Sequence, residues 1–168
     1  MATYSISKGH YIRPARAVRT RTFPEAPSQT FKVGAPLILN TTTDKGNQVA
    51  AAAADPDGTV VGFAAKDASG VEGTDIQVWM LDAEAEFHAV IGDTQTLDND
   101  DIGNEFGLVS DGTNVIWRVD RTETSTVVVR VVAFGPKPDG TSGNCVHGDV
   151  NAAVIVRAAS GKQGLLKP

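Results

Sequence analysis

Hydrophobic and polar residues alternate along much of the chain after residue 30, with the two-residue period of a β-strand. The clearest segment is 75–82, where Ile76, Val78 and Met80 fall on one face of a predicted strand. Other short apolar segments predict strands over residues 31–40, 59–66, 85–91, 106–109, 115–119, 126–134 and 150–157. Short strands without a convincing helical period predict an all-β fold, either a β-barrel or a β-sandwich.

Turn residues separate these predicted strands. The chain has 17 glycines and 8 prolines, a composition that favours short strands over long helices. Residues 55–58 (DPDG) form a turn sequence, and residues 110–114 (SDGTN) are typical of a hairpin connection. The alanine-rich stretch 48–54 is ambiguous, although its short length favours a strand or a loop.

The valine-rich stretch 127–132 lacks alternation, because only Arg130 interrupts it. A strand with one solvent-exposed face is expected to alternate, so this strand is predicted to be covered on both faces. Burial within the same domain and burial in a subunit interface both remain open.

The first 32 residues form what we call the N-terminal arm. They show neither the helical nor the strand period over a useful length, and Pro14, Pro24 and Pro27 disfavour a helix. Aromatic and aliphatic residues are nevertheless spread through the arm, unlike a typical disordered tail. We therefore predict an extended arm (residues 1–32) that becomes ordered on another subunit, followed by a β body (residues 33–168) that folds without it.

Charge divides the chain at the same place. The arm has six basic residues and one acidic residue, a net charge of +5, whereas the body has nine basic and nineteen acidic residues, a net charge of −10. Such asymmetry usually indicates an acidic partner for the basic part. The residues predicted to contact this partner are Tyr11, Arg13, Arg16, Arg19, Arg21 and Phe23. Nucleic acid is not the expected partner, because the acidic body repels a polyanion.

The sequence contains no convincing catalytic or metal-binding pattern. No Gly-x-Ser-x-Gly motif is present, and the three histidines are interpreted as structural. Cys145 and His147 supply two ligands where a structural zinc site needs four. Residues 98–101 (DNDD) resemble the start of a calcium loop, but the fifth and twelfth positions are Ile102 and Val109. We therefore predict no enzymatic activity, no cofactor and no metal. No segment has the length and hydrophobicity of a membrane span, so no membrane partner is predicted either.

The order of several short motifs resembles that of the capsid cement, or decoration, proteins of tailed bacteriophages. The motifs are residues 60–64 (VVGFA), 78–79 (VW), 87–89 (FHA), 101–103 (DIG), 106–109 (FGLV), 117–120 (WRVD), 124–125 (TS) and 148–150 (GDV). The resemblance covers residues 33–157 and implies a β domain on the outer surface of a virion capsid, made in the host cytoplasm. It also implies a homotrimer whose arm contacts the major capsid protein or neighbouring cement subunits, bridges capsomers and stabilises the shell.

A carbohydrate- or receptor-binding β module of a phage tail or fibre is the alternative. Sugar-binding sites commonly present exposed aromatic rings, and Trp79 and Trp117 are the candidates. Both tryptophans lie in predicted strands, where a role in the core is the preferred interpretation.

Overall fold

Eight of the eleven described strands overlap segments that the sequence pattern predicts, and two of the others lie in the N-terminal arm. The computed structural model describes residues 1–5, 11–40, 48–52, 60–92, 94–110 and 116–160. Within them it contains β1 (Arg13–Pro14), β2 (Thr20–Pro24), β3 (Pro36–Asn40), β4 (Gln48–Ala51), β5 (Val60–Ala64), β6 (Asp75–Met80), β7 (Phe87–Val90), β8 (Glu105–Ser110), β9 (Trp117–Asp120), β10 (Val129–Phe134) and β11 (Ala153–Ala158). A single turn of 3-10 helix, Asn99–Asp101, precedes β8.

The strands form two antiparallel sheets. One has six strands in the order β1-β7-β11-β10-β8-β9, and the other has five strands in the order β2-β6-β5-β3-β4. The prediction of an all-β fold is confirmed. Of the two architectures considered, the structure has the sandwich, because neither sheet closes into a barrel.

The core lies between the two sheets. Phe63 of β5 and Phe87 of β7 contact each other edge to face across it, with ring centroids 4.8 Å apart. The predicted inward face of β6 is confirmed, because Ile76, Val78 and Met80 are buried. Alternating burial of this kind removes one face of β6 from water, whereas β5 is buried at every position.

The valine-rich strand is covered on one face and partly covered on the other. Val129 and Val131 are fully buried, whereas Val132 is half-buried. The strand β10 lies between β11 and β8, and its pairing with β11 is irregular between Val131 and Ala133. The predicted burial of both faces is therefore only partly met within one chain.

Two predicted turns and part of the arm lie outside the described residues. These are the turns at residues 55–58 and 110–114, of which only Ser110 is described, and residues 6–10 of the arm. The first four residues of the ambiguous alanine-rich stretch form β4, which pairs with β3.

Candidate functional site

The N-terminal arm supplies an edge strand to each sheet. Its strand β1 pairs with β7 at the edge of the six-stranded sheet, and its strand β2 pairs with β6 at the edge of the five-stranded sheet. Only residues 15–19 separate the two strands, so they border the same side of the sandwich. The expected boundary at residue 32 therefore does not separate two structural units. The described part of the arm lies on its own domain, where β1 and β2 pair with β7 and β6.

The prolines of the arm fit these edge positions. Backbone hydrogen bonds from Ala15 to Glu86 (2.8 Å) and from Met80 to Arg19 (2.9 Å) fix which residues face the neighbouring strand. Because bonded positions alternate in an antiparallel pair, Pro14 and Pro24 occupy positions whose nitrogen faces away from that strand. Neither proline removes a bond from the sheet, which is the setting that edge strands tolerate.

Close backbone packing also anchors the arm. Ile12 is fully buried, and Gly34 lies directly against it with a φ of +80°. A Cβ atom on residue 34 would lie 2.7 Å from the carbonyl oxygen of Ile12, so both the conformation and the space favour glycine. Further along, Glu25 is buried and accepts hydrogen bonds from the backbone of Ser69 (2.9 Å) and of Gly70 (2.8 Å).

All four predicted arginines of the arm are exposed, but they differ in their contacts. Arg16 forms an ion pair with the buried carboxylate of Glu86 at 2.7 Å, and Arg19 pairs with Asp82 at 2.9 Å. Arg13 and Arg21 form no ion pair with any described residue. Their charges are therefore the ones that this edge presents to a partner.

The two aromatic residues predicted to contact a partner have different positions. Phe23 faces the core opposite Ile76 of β6 and is only 7% exposed, so its ring packs inside its own domain and offers little surface to a partner. Tyr11 is half-buried and lies at a groove beside β7.

This groove lies between the arm and the loop that follows β10, and we call it the β7 groove. Its volume is about 440 Å³, and it is open to solvent. Tyr11 and Arg13 lie on the arm side. The other residues that line it are His88, Ala89 and Val90 of β7, Ala153 of β11, and Pro136, Lys137, Pro138, Gly140 and Thr141 of the loop.

Two cations give the β7 groove its charge. These are Arg13 on the arm and Lys137 on the loop. Burial and the neighbouring Arg13 both lower the pKa of His88, so its imidazole is neutral near pH 7. The Asp139 carboxylate of the same loop accepts hydrogen bonds from the hydroxyl and backbone of Thr141, at 2.7 and 3.0 Å. These bonds and the charge of Lys137 lower the pKa of Asp139, so an anion lies beside one of the two cations.

Sequence reasoning missed most of the β7 groove. It selected Tyr11 and Arg13 from the basic arm but did not select His88 or Lys137. The sequence 135–140 (GPKPDG) indicates a loop, yet nothing in it shows that the loop lies beside a segment more than 120 residues earlier.

Other candidates considered from the sequence have structural roles. The acidic stretch at residues 98–101 forms the short 3-10 helix with a capping box between Asp98 and Asp101, and Asp101 pairs with Arg121 at 2.7 Å. Cys145 is buried and accepts a hydrogen bond from the backbone of Ala153. Within the described ranges, no three His, Cys, Asp or Glu side chains are grouped as a metal site would require.

Neither tryptophan presents a broad exposed ring. Trp117 is 6% exposed, and Trp79 is half-buried and packs against the core. Among the described helices, none is long and apolar enough to cross a membrane.

No protein-family model matches the chain, and no curated protein matches its sequence.

Proposed function

We propose that the protein is a structural capsid cement protein that binds the outer surface of a bacteriophage head. In this role it has no enzymatic activity, it forms homotrimers on the capsid, and its partners are the major capsid protein and neighbouring cement subunits. Its place is the outer surface of the virion, where contacts that bridge neighbouring capsomers stabilise the shell.

One observation carries the proposal. The arm presents four exposed arginines along one side of a domain whose remaining residues are strongly acidic. Opposite charges concentrated on different parts of one chain favour a fixed orientation when the protein meets a partner of mixed charge. We call the side of the domain that carries these arginines the basic edge; they are Arg13, Arg16, Arg19 and Arg21. The basic edge would face an acidic surface of the capsid, and the acidic remainder of the domain would face away from the capsid.

The fold changes how such bridging would work. Because β1 and β2 belong to the sandwich, the arm does not act as a long free tether. Contacts would instead run along the basic edge, where Arg13 and Arg21 have no ion-pair partner among the described residues. Individual surface ion pairs contribute little, about 0–1 kcal/mol. Several copies held on one shell would therefore rely on the combined effect of many such contacts.

The half-buried Val132 in the middle of the six-stranded sheet supports the trimer as part of this proposal. A valine-rich strand whose outer face is partly uncovered offers apolar area to a second copy. Sedimentation of the purified protein, alone and released from heads, measures whether that contact forms off the capsid. Monomers in both samples at high concentration would argue against a self-standing trimer.

The proposal is tested by binding to heads of the phage that encodes the chain. Purified heads that lack the protein are incubated with wild type, with Arg21→Glu, and with the double variant Arg19→Glu/Arg21→Glu. We expect wild type to occupy the heads to saturation and the variants to bind more weakly as charge is reversed. Electron micrographs of the decorated heads give the position and copy number.

Lys66→Glu is the matched control, because it makes the same charge change at an exposed residue outside the arm. It is expected to bind like wild type. Equal weakening by Lys66→Glu would mean that total charge, and not the basic edge, governs attachment. Failure of the folded wild-type protein to bind these heads would refute the cement function itself.

A further inference from the structure

The floor of the β7 groove is the outward face of two paired strands. Along β7 and β11, His88 lies opposite Ile155 and Val90 lies opposite Ala153. Successive side chains of a strand point to opposite faces, so His88 and Val90 share the face that points away from the core. Val90 and Ala153 are buried whereas His88 is half-buried, so the apolar end of the floor is the more enclosed one.

Arg13 stands beside the imidazole end of this floor. It lies directly opposite His88 in the pairing of β1 with β7, and opposed residues in a sheet direct their side chains to the same face. Its charge is one cause of the lowered pKa of His88, which is consistent with a guanidinium close to the ring. Arg13 is exposed and forms no ion pair with any described residue. Its hydrogen-bond donors are therefore offered to a ligand in the groove.

The opposite wall is nearly neutral. It is a short hairpin in which the backbone of Lys137 donates to Gly143 (3.2 Å) and that of Gly140 donates to Lys137 (3.1 Å). The ionised carboxylate of Asp139 compensates the charge of Lys137, because the two groups interact within this hairpin. The net positive charge of the β7 groove consequently comes from Arg13, on the arm side.

His88 adds a hydrogen-bonding group next to that charge. Its Nδ1 atom is buried and has no hydrogen-bond partner within the part of the chain that the structure describes. An unpaired buried nitrogen is uncommon, and ordered water or a ligand usually supplies the missing partner. A neutral imidazole carries one donor and one acceptor, so the ring contributes polarity without a second charge.

We propose that the β7 groove binds a small organic monocarboxylate with a compact apolar body. The carboxylate pairs with Arg13 beside His88, and the apolar body lies on Val90 and Ala153. A guanidinium suits a carboxylate because its fork of donors matches the two oxygens. The groove volume of about 440 Å³ is within the range of small-molecule sites, roughly 300–1,000 Å³. The inference goes beyond the proposed capsid role, which requires no small ligand.

Other classes of ligand fit the β7 groove less well. An added peptide strand finds no free edge, because Ile91 bridges Val119 of β9 and the Gly92 N–H donates to Val119 (2.9 Å). Nucleic acid needs many phosphate contacts, whereas the groove has one uncompensated cation on an acidic domain. A glycan site usually offers an exposed aromatic ring, and Tyr11 is half-buried.

The test uses the isolated full-length protein labelled with ¹⁵N and three small probes at pH 7. Benzoate combines a carboxylate with an apolar ring, benzylamine has the same ring with a positive charge, and acetate has the carboxylate without the ring. We expect benzoate to shift the amide signals of residues 88–90, 140–141 and 153. Acetate is expected to bind at least about tenfold more weakly, because it buries little apolar surface. Benzylamine is expected to leave these signals unchanged.

Two arginine variants identify the charge contact. Arg13→Ala is expected to weaken benzoate binding by about tenfold, which corresponds to the loss of one charge-assisted hydrogen-bonded pair. Arg21→Ala is the matched control, because Arg21 is also an exposed arginine of the arm without a described ion pair but lies outside the groove. It is expected to bind benzoate like wild type. Spectra of each free variant show that it is folded, and the comparison of probes on wild type needs no variant.

Several results would overturn the proposal. Absence of groove shifts with benzoate would mean that the groove is not a ligand site. Equal affinity for acetate would mean an adventitious ion only, and equal affinity for benzylamine would mean that charge plays no part. Equal weakening by Arg13→Ala and Arg21→Ala would place the carboxylate elsewhere on the arm. None of these outcomes depends on binding to phage heads, so failure here is distinguishable from failure of the cement function.

Discussion

Tyr4 and Asp149 join the first residues of the chain to the segment before β11. The Tyr4 hydroxyl donates a hydrogen bond to Asp149 (3.3 Å), and the same carboxylate accepts one from the backbone of Ala2 (2.7 Å). Burial alone would raise the pKa of Asp149, but hydrogen bonds from Val146, Ala2 and Tyr4 outweigh it and lower that pKa. For Tyr4, burial is the largest cause, and with the charges of Cys145 and Asp149 it raises the pKa to about 12.

The raised pKa of Tyr4 predicts that the protein loses stability at high pH. The pKa of Tyr4 in the folded state lies above its ordinary value of 10.0, so folding favours the neutral phenol. The stabilisation is therefore complete below pH 10 and is lost as the pH rises towards 12. Urea unfolding of wild type between pH 9 and pH 12 is expected to show this fall, and Tyr4→Phe is expected to reduce it.

Tyr4→Phe also removes one hydrogen bond, which is expected to cost about 0.5–1.5 kcal/mol at pH 7. Tyr11→Phe is the matched control, because it removes the other tyrosine hydroxyl of the chain at a half-buried position. If Tyr4→Phe and wild type lost stability in parallel above pH 10, the phenol of Tyr4 would not be the group responsible.

At the level of single residues, side-chain chemistry predicts that the arginines of the arm are exposed, but it does not predict that Phe23 is buried. Charged side chains are almost never fully buried, so the exposure of Arg13, Arg16, Arg19 and Arg21 followed from their chemistry. Phe23 is as compatible with a core as with an interface, and composition does not distinguish the two. Its place in the core depends on the pairing of β2 with β6, a contact between residues more than 50 positions apart.

The edge strand β2 is the element that the arm contributes to the five-stranded sheet. Its pairing with β6 extends from Thr20 opposite Trp79 to Pro24 opposite Asp75. The hydrogen bonds on either side, Met80 to Arg19 and Glu25 to Thr74, imply that the N–H groups of Arg21 and Phe23 face β6. The N–H of Thr22 consequently faces outward.

Proline substitutions at adjacent positions test this geometry. Arg21→Pro removes a hydrogen bond to β6 and leaves an acceptor unsatisfied, which is expected to lower the free energy of unfolding by about 1–3 kcal/mol relative to Arg21→Ala. Thr22→Pro removes an N–H group that faces outward, and it is expected to change the free energy of unfolding by less than about 1 kcal/mol. Equilibrium urea unfolding measures both, and equal losses would show that β2 is not an edge strand in this register.

The strands predicted from the sequence are those that contribute apolar residues to the core. The strands β3 and β5 to β11 each overlap a predicted segment: β6 shows the two-residue period because one face is buried, whereas β5 is a continuous apolar run because all of its residues are buried. The strands β1 and β2 were missed because they lie at edges: Thr20, Arg21 and Thr22 are exposed in succession, so no period results. The β7 groove was not predictable for a related reason, since its walls come from segments that only the fold brings together.

At the scale of the whole molecule, the arm is part of the β-sandwich, whereas the sequence predicted an arm separate from the body. Ile12, Phe23 and Phe31 are all buried, and the arm carries an edge strand of each sheet. Burial of three large side chains corresponds to roughly 5–9 kcal/mol. This amount is comparable to the whole stability of an ordinary domain, about 5–15 kcal/mol.

Deletion of residues 1–32 is therefore expected to abolish cooperative unfolding, contrary to the sequence-based expectation that the body folds without its arm. The matched control is deletion of residues 1–5, which removes the Tyr4–Asp149 contact but keeps both edge strands. It is expected to keep a cooperative thermal transition at a lower midpoint. Near-ultraviolet circular dichroism and ¹H–¹⁵N spectra report the fold of each variant. A cooperative transition in the longer deletion, at the wild-type midpoint, would mean that the arm contributes no stability and is free to bind elsewhere.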